Sequence, residues 1–283
     1  MLSLAERSSL PYLATALAAI ILFMVFSQFR TPIRLTEQQF PGGMVVIAAP
    51  IQVLMYAGDR FLAANLEEMR VAAIGPEDNE ALTRYRLRAH ELVAQLNPCH
   101  EDNYYLANAM LSWGGSFHEG NKILEDAIAC RYWDEFPPFF LGFNQYFFER
   151  DLENSQKNIE LAASRSTVNR SGMQSIAIAI ASKKLNDEKM AVAYLRAQRD
   201  QATDQKLVSS LNRRLQRLEG LITLRNAQKQ YEEKYGHPLN KPDELINSGI
   251  LSAIPKDPLR IGYEFVDGGF RLRSVIIGGI EVR

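Results

Sequence analysis

From about residue 100 to residue 200 the chain states one plan three times: an apolar-faced run, a turn, and a second apolar-faced run. The first pair is Asp102–Trp113 and Glu119–Trp133, joined across Gly114-Gly115. Pro138–Arg150 with Asp151–Ser164 form the second, and Ser171–Leu185 with Asn186–Asp200 the third. Apolar residues at three-to-four spacing are the period of a helix with one buried face. Small residues stand where paired helices must come close: Ala127 follows Leu124, Ala162 follows Ile159, and Ala191 precedes Leu195. In the second pair, Leu141-Gly142 begins the close contact and Ser155 ends it. The expected product is a stack of helical hairpins, each burying what its neighbour leaves bare.

The flanks extend this plan. Residues 77–96 read as an amphipathic helix with Leu82, Tyr85, Leu92, Val93 and Leu96 on its apolar side, stopped by Asn97-Pro98. His90 lies within it and reads as a surface or packing histidine. From Asp204 to Tyr235 a long helix carries Leu207, Leu211, Leu215, Leu218, Leu221, Leu224 and Ala227 at near-heptad spacing, as a cap for the open end of the stack. Upstream, Met44–Arg70 begins apolar, is interrupted by Pro50, and becomes amphipathic after Asp59 with Phe61, Leu62, Asn65, Leu66 and Met69. The preferred reading is a buried first helix of the domain; a second membrane contact is the rival.

These hairpins resemble tetratricopeptide repeats over roughly residues 80–200. Asn108 and Gly120 depart from the signature and the second repeat is about one residue long, so an irregular helical bundle stands as the alternative. The last block changes character. Lys241-Pro242-Asp243-Glu244-Leu245 predicts a short helix ended at Gly249, and Asp267-Gly268-Gly269 between alternating apolar residues predicts a β-hairpin. This block is similar to the C-terminal tail of bacterial membrane-anchored tetratricopeptide proteins. Its Ile254-Pro255-Lys256-Asp257-Pro258 and Tyr263 also resemble the turn and hairpin of major pseudopilins of type II secretion. The two prolines read as packing devices, not chemistry.

Ahead of all this, Ser8–Phe29 holds no charged residue. About 20 helical residues match a hydrocarbon core of about 30 Å, so residues 1–29 read as a short tail and a transmembrane anchor and 30–43, with Pro32, Pro41, Gly42 and Gly43, as a linker. Phe26–Arg30 offers no cleavage site of the kind that ends a secretory signal. The expected organisation is thus anchor, linker, a helical domain over 44–235 and a helix-plus-hairpin cap over 236–283. Positive charges flank the anchor on both sides and leave its orientation open.

The two cysteines bear on orientation. Cys99 stands before the first helix of the first hairpin and Cys130 near the end of the second, so an antiparallel pair makes them neighbours. A disulfide there places the domain in an oxidising compartment, the periplasm of a bacterium; two unrelated buried thiols are the plainer alternative.

Signs of catalysis are missing. Cys99-His100-Glu101-Asp102 has no second cluster at metal spacing, Ser116 has no strand–turn–helix setting, and no phosphate-cradling or dinucleotide motif occurs. The chain carries 32 basic against 33 acidic residues, a balance that offers nucleic acid no field. No cofactor, no metal and no enzyme activity are expected. What stands out is the aromatic run around Pro137-Pro138, too wide to be interior on one helix. Most of it reads as core between helices, and a concave face of Tyr105, Trp133, Phe139, Phe143 and Tyr146 as the seat of a protein partner. The expected function is a membrane-tethered interaction scaffold of the bacterial envelope, beside secretion- or pilus-type components. An enzyme or small-ligand protein with a pocket between the stack and the hairpin is the second reading.

Overall fold

Aspartates open four of the longer helices. Asp59, Asp151, Asp187 and Asp204 each accept hydrogen bonds from the first free backbone amides, fixing where each helix begins. The computed structural model describes residues 12, 15–25, 45–74, 80–185, 187–277 and 280–282. The chain divides into two units between Val45 and Val46. In the first, residues 15–25 are helical and exposed. Among the described residues no helix is long and apolar enough to cross a membrane. Positions 8–11, 13, 14 and 26–29 of the expected anchor lie outside the described residues.

The second unit is mainly helical. Its helices are α1 (Ala49–Met55), α2 (Arg60–Ala72), α3 (Glu80–Leu96), α4 (Glu101–Ala107), α5 (Phe117–Cys130), α6 (Phe136–Asn144), α7 (Leu152–Arg165), α8 (Arg170–Lys183), α9 (Glu188–Gln201), α10 (Gln205–Tyr235) and α11 (Asp243–Asn247). Two of them widen at the end into a π-type turn, α4 over Asn108–Ser112 and α6 over Gln145–Glu149. Each helix of α2 to α10 packs on the next in sequence, and α3 also meets α5 while α8 meets α10. This is the helical, repeat-like stacking that the sequence led us to expect. The core is accordingly a string of local clusters, one around Tyr104, Leu111, Leu124 and Leu141, the next around Ile159, Met173 and Ile180, a third around Leu195, Leu207 and Leu211.

Small residues set the spacing. A Cβ at Gly142 would stand 2.9 Å from Ile159 Cγ1 and 3.0 Å from the Ser155 carbonyl oxygen, so α6 and α7 touch almost backbone to backbone. Ser155, fully buried, donates to the Gly142 carbonyl at 2.6 Å.

The start of the domain corrects the sequence reading in two respects. Met44–Arg70 is not one helix: Tyr56–Gly58 break it, with Ala57 and Gly58 at positive φ. The large side chains of α2 also face the wrong way for a buried helix. Phe61, Leu62, Leu66 and Met69 are exposed, whereas Ala63, Ala64, Glu67, Glu68 and Val71 are buried. Two alanines allow α2 to lie close on α3, and Glu67 finds partners inside, whereas both Glu68 oxygens are buried without a hydrogen bond. Glu67 accepts from Gln52 at 3.0 Å and from Arg70 at 2.8 Å, and Glu68 lies 3.6 Å from His90 Nδ1. His90 itself is a packing residue, bonded to Asn103 at 2.8 Å.

Beyond the stack, α10 continues as the spine of the C-terminal block. Leu221, Leu224, Ala227 and Tyr231 cover Leu239, Leu245 and Phe270, and Gly236 at positive φ ends the helix. Strands β1 (Tyr263–Val266) and β2 (Gly269–Leu272) pair antiparallel, with Val266 opposite Gly269 across Asp267-Gly268. Both turn residues have φ > 0, the conformation a tight two-residue hairpin needs. A second antiparallel pair, β3 (Val275–Ile277) with β4 (Ile280–Val282), was not foreseen. Gly220 admits the Tyr263 ring: a Cβ there would lie 2.9 Å from Cζ. The Tyr263 hydroxyl donates to the Arg217 carbonyl at 3.0 Å. In the Pro-Lys-Asp-Pro turn Asp257 does most of the organising, accepting from the Leu259, Ile261 and Gly262 amides and pairing with Arg217 at 3.2 Å.

Candidate functional site

Residues of α6, α8, α9 and α10 line a common hollow together with the C-terminal block. This chamber holds about 630 Å³, within the usual range of ligand sites. Phe139, Phe143 and Tyr146 of α6, Ile176 and Ile180 of α8, and Leu259, Ile261 and Leu272 of the C-terminal block line it. A second concavity of about 700 Å³ lies where α7, α8 and α9 meet the start of α10. Gln174, Gln198 and Gln201 line it, and such a surface holds water more readily than an apolar group.

The chamber is apolar but not neutral. Lys183, Arg214, Arg217 and Arg273 border it against one acid, Glu188. Most of this charge is engaged. Lys183 donates to the Tyr146 hydroxyl and sits over its ring, Arg217 pairs with Asp257 and donates to the Arg273 carbonyl at 3.1 Å, and Glu188 pairs with Arg225. Arg214 differs: its Nε is buried without a hydrogen bond, and no ion pair reaches its guanidinium among the described residues. Burial, and after it the neighbouring Arg217 charge, push its pKa below the ordinary guanidinium value; at neutral pH it remains a cation.

The five residues expected to form one face are divided. Phe139, Phe143 and Tyr146 share the chamber. Tyr105 stacks on Tyr104 at 4.6 Å and meets Phe140 edge-on at 5.4 Å, on the other side of α6. Trp133 is exposed beside Tyr132. Arg214, Ile261 and Leu272 were missed. Arg214 had a signal, for it interrupts the leucine stripe three residues after Leu211 and four before Leu218, where a cation is out of place; the two apolar residues reach the site only through the fold of the C-terminal block.

Cys99 and Cys130 are disulfide-bonded, their Cα atoms 5.3 Å apart. An ionic lock reinforces the same corner. Arg131 donates to Asp134 and Glu101 at 2.8 Å and to the Cys99 carbonyl at 3.2 Å, and the buried Tyr104 hydroxyl donates to Asp134 at 2.7 Å. Burial alone would raise the Asp134 pKa, but the Phe136 amide, Tyr104 and Arg131 outweigh it and hold the carboxyl below its usual range. Arg165 ties the next hairpin on, donating to the carbonyls of Ile128, Arg131 and Asp134 at 3.1–3.2 Å.

The widened turns enclose a second polar knot. Asn144 Nδ2 approaches Asn108 Oδ1 at 2.9 Å, Ser112 Oγ at 3.1 Å and Asn121 Oδ1 at 2.8 Å, while its Oδ1 is buried without a hydrogen bond. Asn108 and Gly120, which depart from the repeat signature, both belong here; a Cβ on Gly120 would lie 2.7 Å from Ser112 Oγ. The knot specifies how the first hairpin meets the second. Among the described residues no three His, Cys, Asp or Glu side chains gather as a metal-binding set. No family model, curated protein or solved structure matches the chain.

Proposed function

We propose that this chain is a membrane-tethered, non-catalytic binding scaffold of the bacterial envelope, a tetratricopeptide-like stack that receives an apolar segment of a protein partner in the chamber. The observation that carries the reading is the chamber's construction: aromatic rings of α6 and apolar residues of the C-terminal block together line a hollow of about 630 Å³. Stacked helical repeats are commonly used as binding surfaces, an argument by analogy of fold. The uncharged stretch Ser8–Phe29 supports tethering. The Cys99–Cys130 bond supports an oxidising location. Tethering would raise the effective concentration of the scaffold beside membrane partners.

The test is to fill the chamber. Ile176 lines it and is partly solvent-exposed, so Ile176→Trp would occupy the hollow with little strain on the core. Partner protein that copurifies with the full-length chain should be lost while the circular dichroism spectrum stays native. A partner retained at full stoichiometry would refute the reading. Arg214, whose buried Nε has no hydrogen bond among the described residues, favours a second reading, in which the occupant is a small amphiphile with an anionic head. Native mass spectrometry separates the two: this reading requires a small-molecule adduct that Arg214→Gln releases.

A further inference from the structure

The first two helices of the domain are turned inside out. Leu54 is 80% exposed, Met69 67%, Met55 59%, Ile51 54% and Phe61 51%, so α1 and α2 present their longest apolar side chains to the outside and bury their acids. An isolated exposed leucine means nothing. Here exposed large apolar residues recur on two consecutive helices, while in α2 alanine, valine and glutamate fill the inner face. The inversion is built in, because Glu67 is held by Gln52 and Arg70 and rotating α2 to hide Phe61 and Met69 would break those bonds.

We infer that this face lies in the headgroup region of a lipid bilayer, as a second membrane contact besides the proposed anchor on which the argument partly rests. The charge pattern favours lipid. Of the carboxylates in α1, α2 and their connection, Glu67 and Glu68 are buried and Asp59 accepts from the Phe61 and Leu62 amides. Arg60 stays at the surface over the Phe61 ring at 4.7 Å, while Arg70, partly exposed, is bonded to Glu67. Exposed apolar side chains beside an unburied arginine, with the glutamates turned inward, are the pattern of an interfacial helix on anionic lipid. Position in the chain agrees: Val45, exposed, follows directly on the linker that leads from the uncharged stretch. The bilayer thereby fixes the orientation of the domain and not merely its distance from the surface.

The test uses the full-length chain reconstituted in vesicles of phosphatidylethanolamine and phosphatidylglycerol. The native thiols are bonded to each other, so single cysteines introduced as Leu54→Cys, Met69→Cys and, as a control, the exposed Glu125→Cys can carry an environment-sensitive fluorophore. The probes at 54 and 69 should be quenched several-fold more by nitroxide-bearing lipid than the probe at 125, and should resist aqueous iodide. If chains that float with the vesicles leave both probes open to iodide, the surface contact is refuted while the tether stands. Probes shielded from iodide and from nitroxide lipid alike would mean that protein, a second copy or residues 26–44, covers the face, which also overturns the inference. Failure of the chain to float would defeat both the tether and the contact.

Discussion

Replacing Cys99 and Cys130 by serine removes a bond between positions 31 apart in the chain. If the bond acts by restricting the unfolded chain, its loop-closure entropy is worth about 3.7 kcal/mol at 25 °C for a loop of that length. The folded hairpin should survive the loss. Leu111, Ile123, Leu124 and Ala127 still pack between α4 and α5, and Arg131 still joins Cys99's carbonyl, Glu101 and Asp134. Two consequences separate this account from one in which the bond holds a strained fold together. The double variant should keep a native far-ultraviolet spectrum, and its urea midpoint should fall while the m-value rises, because the released unfolded chain exposes more surface. Both tryptophans of the chain, Trp113 and Trp133, lie beside this hairpin, so their fluorescence follows the transition where the bond acts. A loss below about 1 kcal/mol with unchanged m would refute the entropic reasoning. Native protein whose thiols react with maleimide before reduction would refute the bond itself.

Other changes probe separate joints. Gly220→Ala should drive Tyr263 out of its seat and break its bond to the Arg217 carbonyl; amide exchange in β1 and β2 should accelerate while α4 to α8 stay protected. Asn144→Ala leaves the Asn108, Ser112 and Asn121 acceptors without their common donor and should cost about 1–3 kcal/mol in urea titrations. Asp134→Asn breaks the lock with Arg131 and should cost on the order of 3 kcal/mol at neutral pH. Because the folded state holds the Asp134 pKa below the unfolded value, its stabilisation is complete above the ordinary aspartate range and is lost as pH falls through the depressed pKa. Thermal unfolding of the wild type from pH 7 down to pH 3 should therefore show an acid-limb decline that the asparagine variant shows less; equal declines would discount the lock.

The stack was legible because its information is local. Leu82, Tyr85, Leu92, Val93 and Leu96 announce the buried side of α3 by spacing alone, and all are buried. The cysteine pair was legible for the same reason, since an antiparallel hairpin brings its ends together whatever surrounds it. Orientation was harder. In α2 the pattern marks two faces correctly but does not say which is inside, and the usual rule that large apolar residues go inward failed because Ala63 and Ala64 permit closer packing and Glu67 finds partners there. The chamber was half legible: Phe139, Phe143 and Tyr146 sit one helical turn apart or less on one run, whereas Arg214 joins them through the packing of α10 on the stack and Ile261 and Leu272 only through the docking of the C-terminal block. Asn108 and Gly120, read from sequence as departures from a repeat, proved to be parts of the polar knot that replaces ordinary packing between the hairpins.

The central claim is that the chamber holds a segment of another protein. The most direct measurement places a photoreactive amino acid at Phe143, which lines the chamber, and in parallel at Tyr132, which is 73% exposed and not part of the chamber lining, in the full-length chain in living cells. Irradiation should yield a discrete protein adduct from position 143, weak or absent from position 132 and abolished by Ile176→Trp. Adducts from 132 and none from 143, or only small-molecule adducts at 143, would contradict the account.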